Sequence, residues 1–320
     1  MARLLSLLFV RMAPLRTMPS QLNFYYPDTP DIPLPEAHRF PAGKYRELRN
    51  LVSQEGLLGG AALAPSPPAT KELLLTAHDE TYVDSVLEGT WTKDVQRRIG
   101  LPWSETLVAR SLAAVGGSLA AAQSALQNGV SGQLAGGTHH AHRDFGSGFC
   151  VFNDLAVAAI TLLQERRVRR VAILDTDVHQ GDGNAAILTP RQDVFVVSVH
   201  GEKNFPFRKV ASDLDIGLAD GTTDDAYLAA TEQALSAIIG FQPDILLYLS
   251  GADALTSDSL GRLDVSFDGL QKRDHLVFAK THEHSLPICL VLGGGYAKPI
   301  SDTVSAYANT LRAMRAVYGF

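Results

Sequence analysis

Cysteine is nearly absent from this chain: two residues of 320, against ten histidines. So few cysteines exclude a disulfide framework and a zinc cluster built on thiolates. A bound metal must then be held by imidazole and carboxylate groups. Long apolar runs are also lacking. The run nearest the start, LLSLLFV over 4–10, falls far short of the roughly 18 residues that span a bilayer, so no membrane span is expected. A basic surplus is missing as well: 28 Lys and Arg stand against 34 Asp and Glu, a net charge of −6. That argues against direct nucleic-acid binding and suits a cationic, lysine-rich substrate. Internal repeats and low-complexity tracts are absent, and 64–69 (APSPPA) reads as a Pro-rich loop.

Acids are missing from the start. Residues 1–27 carry Arg3, Arg11 and Arg16, and the first acid is Asp28. This reads as an N-terminal extension over 1–22, disordered or targeting, with Met12 and Met18 as alternative starts. Scarce cysteine favours a reducing compartment. The cytoplasm is the expected location, with nucleus or organelle as alternatives for a eukaryotic chain.

What is present is enough to bury a core: 46% hydrophobic and 19% charged residues. At about 150 residues per domain, the length alone divides into roughly two domains. The local pattern argues otherwise. Short, β-branched, almost wholly apolar runs occur at 170–174 (RVAIL), 194–199 (VFVVSV), 245–249 (ILLYL) and 287–292 (PICLVL), with a weaker one at 133–135 (QLA). Strands buried on both faces of a parallel sheet read this way. Helical stretches separate them, at 102–126, 153–166, 224–239, 269–280 and 300–317. Ser104 and Asn153 are placed to cap the first two. Strand–helix alternation predicts an α/β fold wound on one parallel sheet.

In such folds ligands bind beyond the carboxyl ends of the strands. Polar clusters follow the apolar runs: Gly136-Gly137-Thr138-His139-His140, then Asp175-Thr176-Asp177-Val178-His179, then His200, Ser250-Gly251-Ala252-Asp253, and Gly293-Gly294-Gly295-Tyr296. They extend from residue 136 to 296 and need one continuous sheet, so a single catalytic domain over 23–320 is expected.

Asp175, Asp177 and His179 are spaced two apart, so alternate side chains of an extended chain share a face. Asp177 and His179 can reach one metal, with Asp175 beside or behind them. Asp253 completes a set of two carboxylates and one imidazole. Three protein ligands with an open position is the pattern of a catalytic zinc site, and the same donors suit Fe²⁺. The bland alternative is a helix-capping acid and a surface histidine. His139 and His140 would point oppositely in a strand, but both can face a site from a loop. Imidazole is the usual acid/base near neutrality, and Asp175 and Asp182 are the carboxylates available to orient it. Tyr296, after three glycines, can approach a ligand closely and donate to a developing oxyanion. Phe149 and Phe205 are candidates to wall a narrow channel, or are ordinary packing.

Together these stretches resemble the histone deacetylase superfamily of zinc-dependent amidohydrolases. GGTHHAHRDFGSGFCVFND, ILDTDVHQGDGN, LSGADAL and LGGGY stand in that family's order. LPEAHRFPAGKYRELR, RIGLPWSETL and LGRLDVSFDGLQKRD look most like its class IV branch and bacterial relatives. The resemblance implies a three-layer αβα, arginase-like domain with about eight mostly parallel strands. It implies Asp177, His179 and Asp253 as zinc ligands, His140 as general base and then acid, and His139 as its electrostatic partner. Asp182 and Asp175 would bond His140 and His139, and Tyr296 would polarise the substrate carbonyl. Phe149 and Phe205 would wall a substrate tunnel, with Gly148 at its floor. Asp175, Asp177, His179 and Ser198 would hold a structural potassium ion, and Arg39 would match an arginine of the inner cavity. The implied reaction is hydrolysis of Nε-acyl-lysine in proteins, with acetyl or longer acyl groups. Two other readings stand beside it: a deacylase of small acylated amines such as acetylpolyamines, and a non-catalytic acyl-lysine-binding module. One departure is plain. The acid that grips the substrate backbone in class I enzymes has no counterpart between Lys93 and Glu105.

Overall fold

In the computed structural model, which describes residues 21–35 and 38–320, the apolar runs of the sequence become the middle of one sheet. The chain enters through β1 (Asn23–Tyr26), α1 (Lys44–Glu55) and β2 (Ala62–Pro65). Three short helices follow: α2 (Lys71–Leu74), α3 (Glu80–Leu87) and α4 (Lys93–Ile99). Next come α5 (Glu105–Asn128), β3 (Val130–Gln133), α6 (Asp154–Gln164), β4 (Val171–Asp175), α7 (Asp182–Leu188), β5 (Val194–Gly201) and β6 (Leu214–Leu218). The chain closes with α8 (Asp224–Phe241), β7 (Ile245–Ser250), α9 (Phe267–Glu283), β8 (Ile288–Leu292) and α10 (Ile300–Tyr318). The expected extension over 1–22 lies, but for its last two residues, outside the described residues.

All eight strands run parallel, in the order β2-β1-β3-β8-β7-β4-β5-β6. Side chains alternate along each strand, and the alternation divides the core into two layers. Ala172, Leu174, Val197, Val199, Leu246, Tyr248, Ile288 and Leu290 pack on one face with α1, α8, α9 and α10. Val171, Ile173, Val194, Val196, Ile245, Leu247, Cys289 and Val291 pack on the other, largely against α5 and α6. Helices on both faces leave β4, β7 and β8 no water-facing side, which is why their sequences are unbroken runs of apolar residues. This is the single αβα domain that the sequence predicts.

The differences lie at the edges. The strand expected at 133–135 is β3, ending at Gln133 and starting at once after the left-handed Gly129 that stops α5. Its Ser131 and Gly132 are poor strand formers, held by pairing with β1 and β8. β1, β2 and β6 are short and only partly buried, and pairing decides them too. The caps are local and stand as read: Ser104 Oγ accepts from Leu107 N at 3.1 Å, and Asn153 Oδ1 from Ala156 N at 2.8 Å.

The topology positions the site. From β4 the chain steps to β5 on one side, and from β7 it steps to β8 on the other. The connections diverge above the adjacent carboxyl ends of β4 and β7, which leaves a crevice there. Asp177 and His179 follow β4, and Asp253 follows β7.

Candidate active site

The three expected metal ligands meet in that crevice. One donor atom from each of Asp177, His179 and Asp253 lies within 4.8 Å of the others. His179 Nδ1 is 2.8 Å from Asp177 Oδ1 and 3.2 Å from Asp253 Oδ2. Both carboxylates are aimed by backbone N–H groups. Gly294 N donates to Asp177 Oδ2 at 2.5 Å, and Val178 N donates to Asp253 Oδ1 at 2.9 Å. The segment after Asp175 bends rather than staying extended, yet Asp177 and His179 still converge. Gly293 and Gly294 make room: a Cβ on Gly294 would strike Asp253 Oδ2, and one on Gly293 would stand 2.8 Å from Asp177 Oδ2. Burial, and then the neighbouring Asp177, push the Asp253 carboxyl up to about 7. Two buried carboxylates beside one imidazole form a donor set that a divalent cation fits.

The His pair lies in a loop, as a shared site requires. Gly136 and Gly137 take left-handed φ of 89° and 66°, and the two rings beyond them stand 4.0 Å apart. His139 Nδ1 is 2.7 Å from Asp175 Oδ2, and His140 Nδ1 is 2.6 Å from Asp182 Oδ1. His142 Nε2 takes the other oxygen of Asp182 at 3.0 Å; the sequence reading did not single it out. The two histidines are driven apart electrostatically. Burial depresses His139, but the carboxylates of Asp175 and Asp177 outweigh it and lift it to about 9. Burial, and then the charge on His139, drop His140 to about 4, although Asp182 opposes both. The surroundings therefore favour the charged form of His139 and the neutral form of His140.

Gly148, Phe149, Phe205, His140, His179 and Tyr296 line one cavity of about 520 Å³. Gly148 and Phe149 are the centre of a tight turn closed by mutual backbone bonds between Ser147 and Cys150. Both have positive φ, 53° and 66°, and at Phe149 that is a strained conformation for a bulky residue. It is held by its N–H to Ile99 O at 2.8 Å and by ring contacts with Phe40 at 5.4 Å and Tyr296 at 6.0 Å. A Cβ on Gly148 would stand 2.6 Å from the His140 ring, so glycine is needed there. Phe205 meets His140 edge-on at 4.9 Å.

Two supports of Tyr296 lie outside the sequence reading. Asp258 Oδ2 accepts from its N–H at 2.6 Å. Lys44 is buried, donates to Gly295 O at 3.0 Å and sits 4.9 Å from the Tyr296 ring centre. Burial, followed by Asp177, raises the Tyr296 hydroxyl well above its ordinary value, so it stays a donor.

Arg39 borders the cavity but is exposed. The guanidinium enclosed in the depth is that of Arg110 on α5, stacked 4.1 Å from the Tyr45 ring, and burial lowers its pKa. His200 is buried on β5 against Ser198 Oγ at 3.0 Å and does not line the cavity. Ser198 stands beside Asp175 in the β4–β5 register.

The histone deacetylase domain is matched over residues 38–312, and the chain belongs to that family of amide-bond hydrolases. It is 42% identical over 295 residues to an uncharacterized protein of Picosynechococcus, covering 92% of this chain and 98% of that one. It is 29% identical over 307 residues to "Histone deacetylase 2" of Arabidopsis thaliana, covering 89% and 77%. Among solved structures, the HDA15 HD domain superposes with a TM-score of 0.77 at 20% identity, over 93% of this chain and 88% of the other. That likeness carries the fold.

Proposed function

We propose that this protein is a zinc-dependent deacylase that hydrolyses Nε-acyl-lysine in proteins. The observation that carries this reading is the His140–Asp182 pair beside the trio Asp177, His179 and Asp253, with His140, Asp177 and His179 lining one aromatic-walled cavity. A divalent ion held by that trio would supply Lewis acidity and make water a nucleophile near neutral pH. The donor set also accepts Fe²⁺.

The rest is done by the chain's own groups. The acylated amine threads between Phe149 and Phe205. Asp182 takes the Nδ1 proton of His140 as a hydrogen bond, which leaves Nε2 free to accept a proton from the attacking water. Burial, and then the charge on His139 beside Asp175, favour the neutral form of His140 before the step. Tyr296 donates its hydroxyl to the oxyanion as the carbonyl turns tetrahedral. His140 then returns its proton to the departing amine, and a carboxylate and a free lysine leave.

Apolar side chains of Ile32, Leu107, Ala114 and Phe152 on the cavity lining support acyl chains longer than acetyl. The reading includes class IV affinity, a domain over 23–320, and a potassium ion at Asp175, Asp177, His179 and Ser198. It also includes a cytoplasmic setting, supported by Cys150 and Cys289, which are both free and buried. The test is a series of lysine peptides bearing acyl chains from acetyl to myristoyl, assayed with and without chelator. Chelator-sensitive turnover, lost in His140→Ala and lowered about 10²–10³-fold in Tyr296→Phe, is expected. Full activity in either variant overturns the mechanism.

A further inference from the structure

The mouth of the tunnel has the opposite sign to the whole molecule. The net charge is −6, yet the exposed charged residues that line the cavity are Arg39, Arg97, Arg98, Lys203 and Arg262. Among the described residues, the only carboxylate on that lining is Asp177, which belongs to the metal trio. Two nearby acids offset part of the charge. Asp94 pairs with Arg97, and Asp220 lies 3.1 Å from Arg262 and 3.8 Å from Lys203. Arg98 stacks 4.3 Å from the Phe145 ring, and among the described residues neither Arg98 nor Arg39 forms an ion pair within 4.0 Å. Among the described residues that line the mouth, five exposed cations stand against no exposed acid, and the acids that pair with them are Asp94 and Asp220.

The rim is built as well as charged. The backbone of Arg98 and Ile99 at the end of α4 holds the Gly148–Phe149 turn, through Gly148 N to Arg98 O at 3.2 Å and Phe149 N to Ile99 O at 2.8 Å. The α4 cations are therefore fixed to one tunnel wall. Lys203 precedes Phe205 and Phe207 on the opposite wall, and Phe207 is 86% exposed beside them. Between the two sides, a lysine side chain entering the tunnel brings its sequence neighbours within reach of these charges.

We propose that this rim selects acyl-lysines flanked by Asp and Glu, an acidic peptide segment rather than a lysine-rich tail. The proposal deepens the deacylase reading and rests on it. It departs from the expectation drawn from net charge, because a substrate meets the local field at the mouth, not the sum over the surface. Like charge at the rim works equally against a polyamine, whose remaining ammonium groups would face guanidinium.

The test uses the metal-loaded full chain and three peptides with one central acyl-lysine, flanked by Asp/Glu, by Ala/Ser or by Lys/Arg. At low salt the acidic peptide is expected to exceed the basic one about tenfold in kcat/KM, and the gap to close as salt rises to about 0.5 M. Lys203→Glu together with Arg262→Glu should shrink or invert the ratio, and the salt series decides the matter if that variant misfolds. Fluorescence anisotropy of the same peptides gives the same ratio in binding, independently of turnover. A ratio of one or less in the wild type at low salt overturns the proposal, as does tighter retention of single-stranded RNA than of the acidic peptide. Absence of turnover on the Ala/Ser peptide, with acid-selective binding intact, overturns the deacylase reading instead.

Discussion

Asp182 Oδ1 lies 2.6 Å from His140 Nδ1, and this contact decides which nitrogen of the imidazole can act as a base. A carboxylate can only accept, so Nδ1 carries the proton and Nε2 the lone pair. Asp182→Asn would present an amide that can donate to Nδ1 and favour the opposite tautomer. The expected result is a fall in kcat of about 10²–10⁴-fold with little change in KM. Steady-state kinetics on an acyl-lysine peptide checks it; an unchanged kcat would show that the pair does not set the base.

The same dyad sets a pH dependence. In the proposed mechanism the active form of His140 is neutral, and its pKa is driven down to about 4, by burial first and then by His139. Protonation inactivates the base, so the acid limb of kcat/KM should fall well below the 6.5 of free imidazole. Replacing His139 with Asn removes a positive neighbour, raises the pKa of His140 and moves that limb to higher pH. A limb that stays put in His139→Asn argues against the coupling.

His78 makes a separate, structural prediction. Its Nδ1 faces His142 O at 2.9 Å and its Nε2 accepts from Asn153 N at 2.9 Å. Both nitrogens are thus used by the neutral ring, which ties the loop after His139 and His140 to the start of α6. Burial lowers its pKa to about 4, against 6.5 for the free side chain. Between those values the unfolded chain binds the proton and the folded chain does not. The stability from His78 is therefore present above 6.5 and is lost as pH falls toward 4, by about 3 kcal/mol in all. Urea unfolding across that range should show the slope, and His78→Gln should flatten it.

Arg273 joins the two strand ends that bear the site. Its guanidinium reaches Gly251 O at 2.6 Å, Ser250 Oγ at 2.7 Å, Tyr227 OH at 3.0 Å and Asp274 Oδ1 at 3.0 Å. Tyr227 OH in turn donates to Thr176 O at 3.1 Å. Arg273→Met would leave Asp274 as a buried carboxylate without its cation. A loss of about 3–5 kcal/mol is expected from denaturant unfolding. Because Gly251 leads into Asp253, divalent-metal affinity at the Asp177, His179 and Asp253 trio should fall about 10–100-fold as well. Wild-type metal affinity in that variant would show that the ligand loop stands without it.

Many residues of the candidate site lie close together in the chain, and that part is readable from the chain alone. Asp177 and His179 are two residues apart, His139 and His140 are adjacent, and Gly293 and Gly294 stand next to Tyr296. Strands with helices on both faces have no polar side to show, so β4, β5, β7 and β8 announce themselves. What tertiary structure alone decided is whatever depends on distant partners. Lys44 is an ordinary helix-start lysine until Gly295, 251 positions away, comes to rest against it. Asp258 and Arg273 gain their roles from the residues they orient. The edge strands gain theirs from pairing, and the mouth its sign from cations drawn from four separate segments. Spacing of a few residues is preserved along any backbone, whereas these contacts exist only after the sheet has brought its strand ends together.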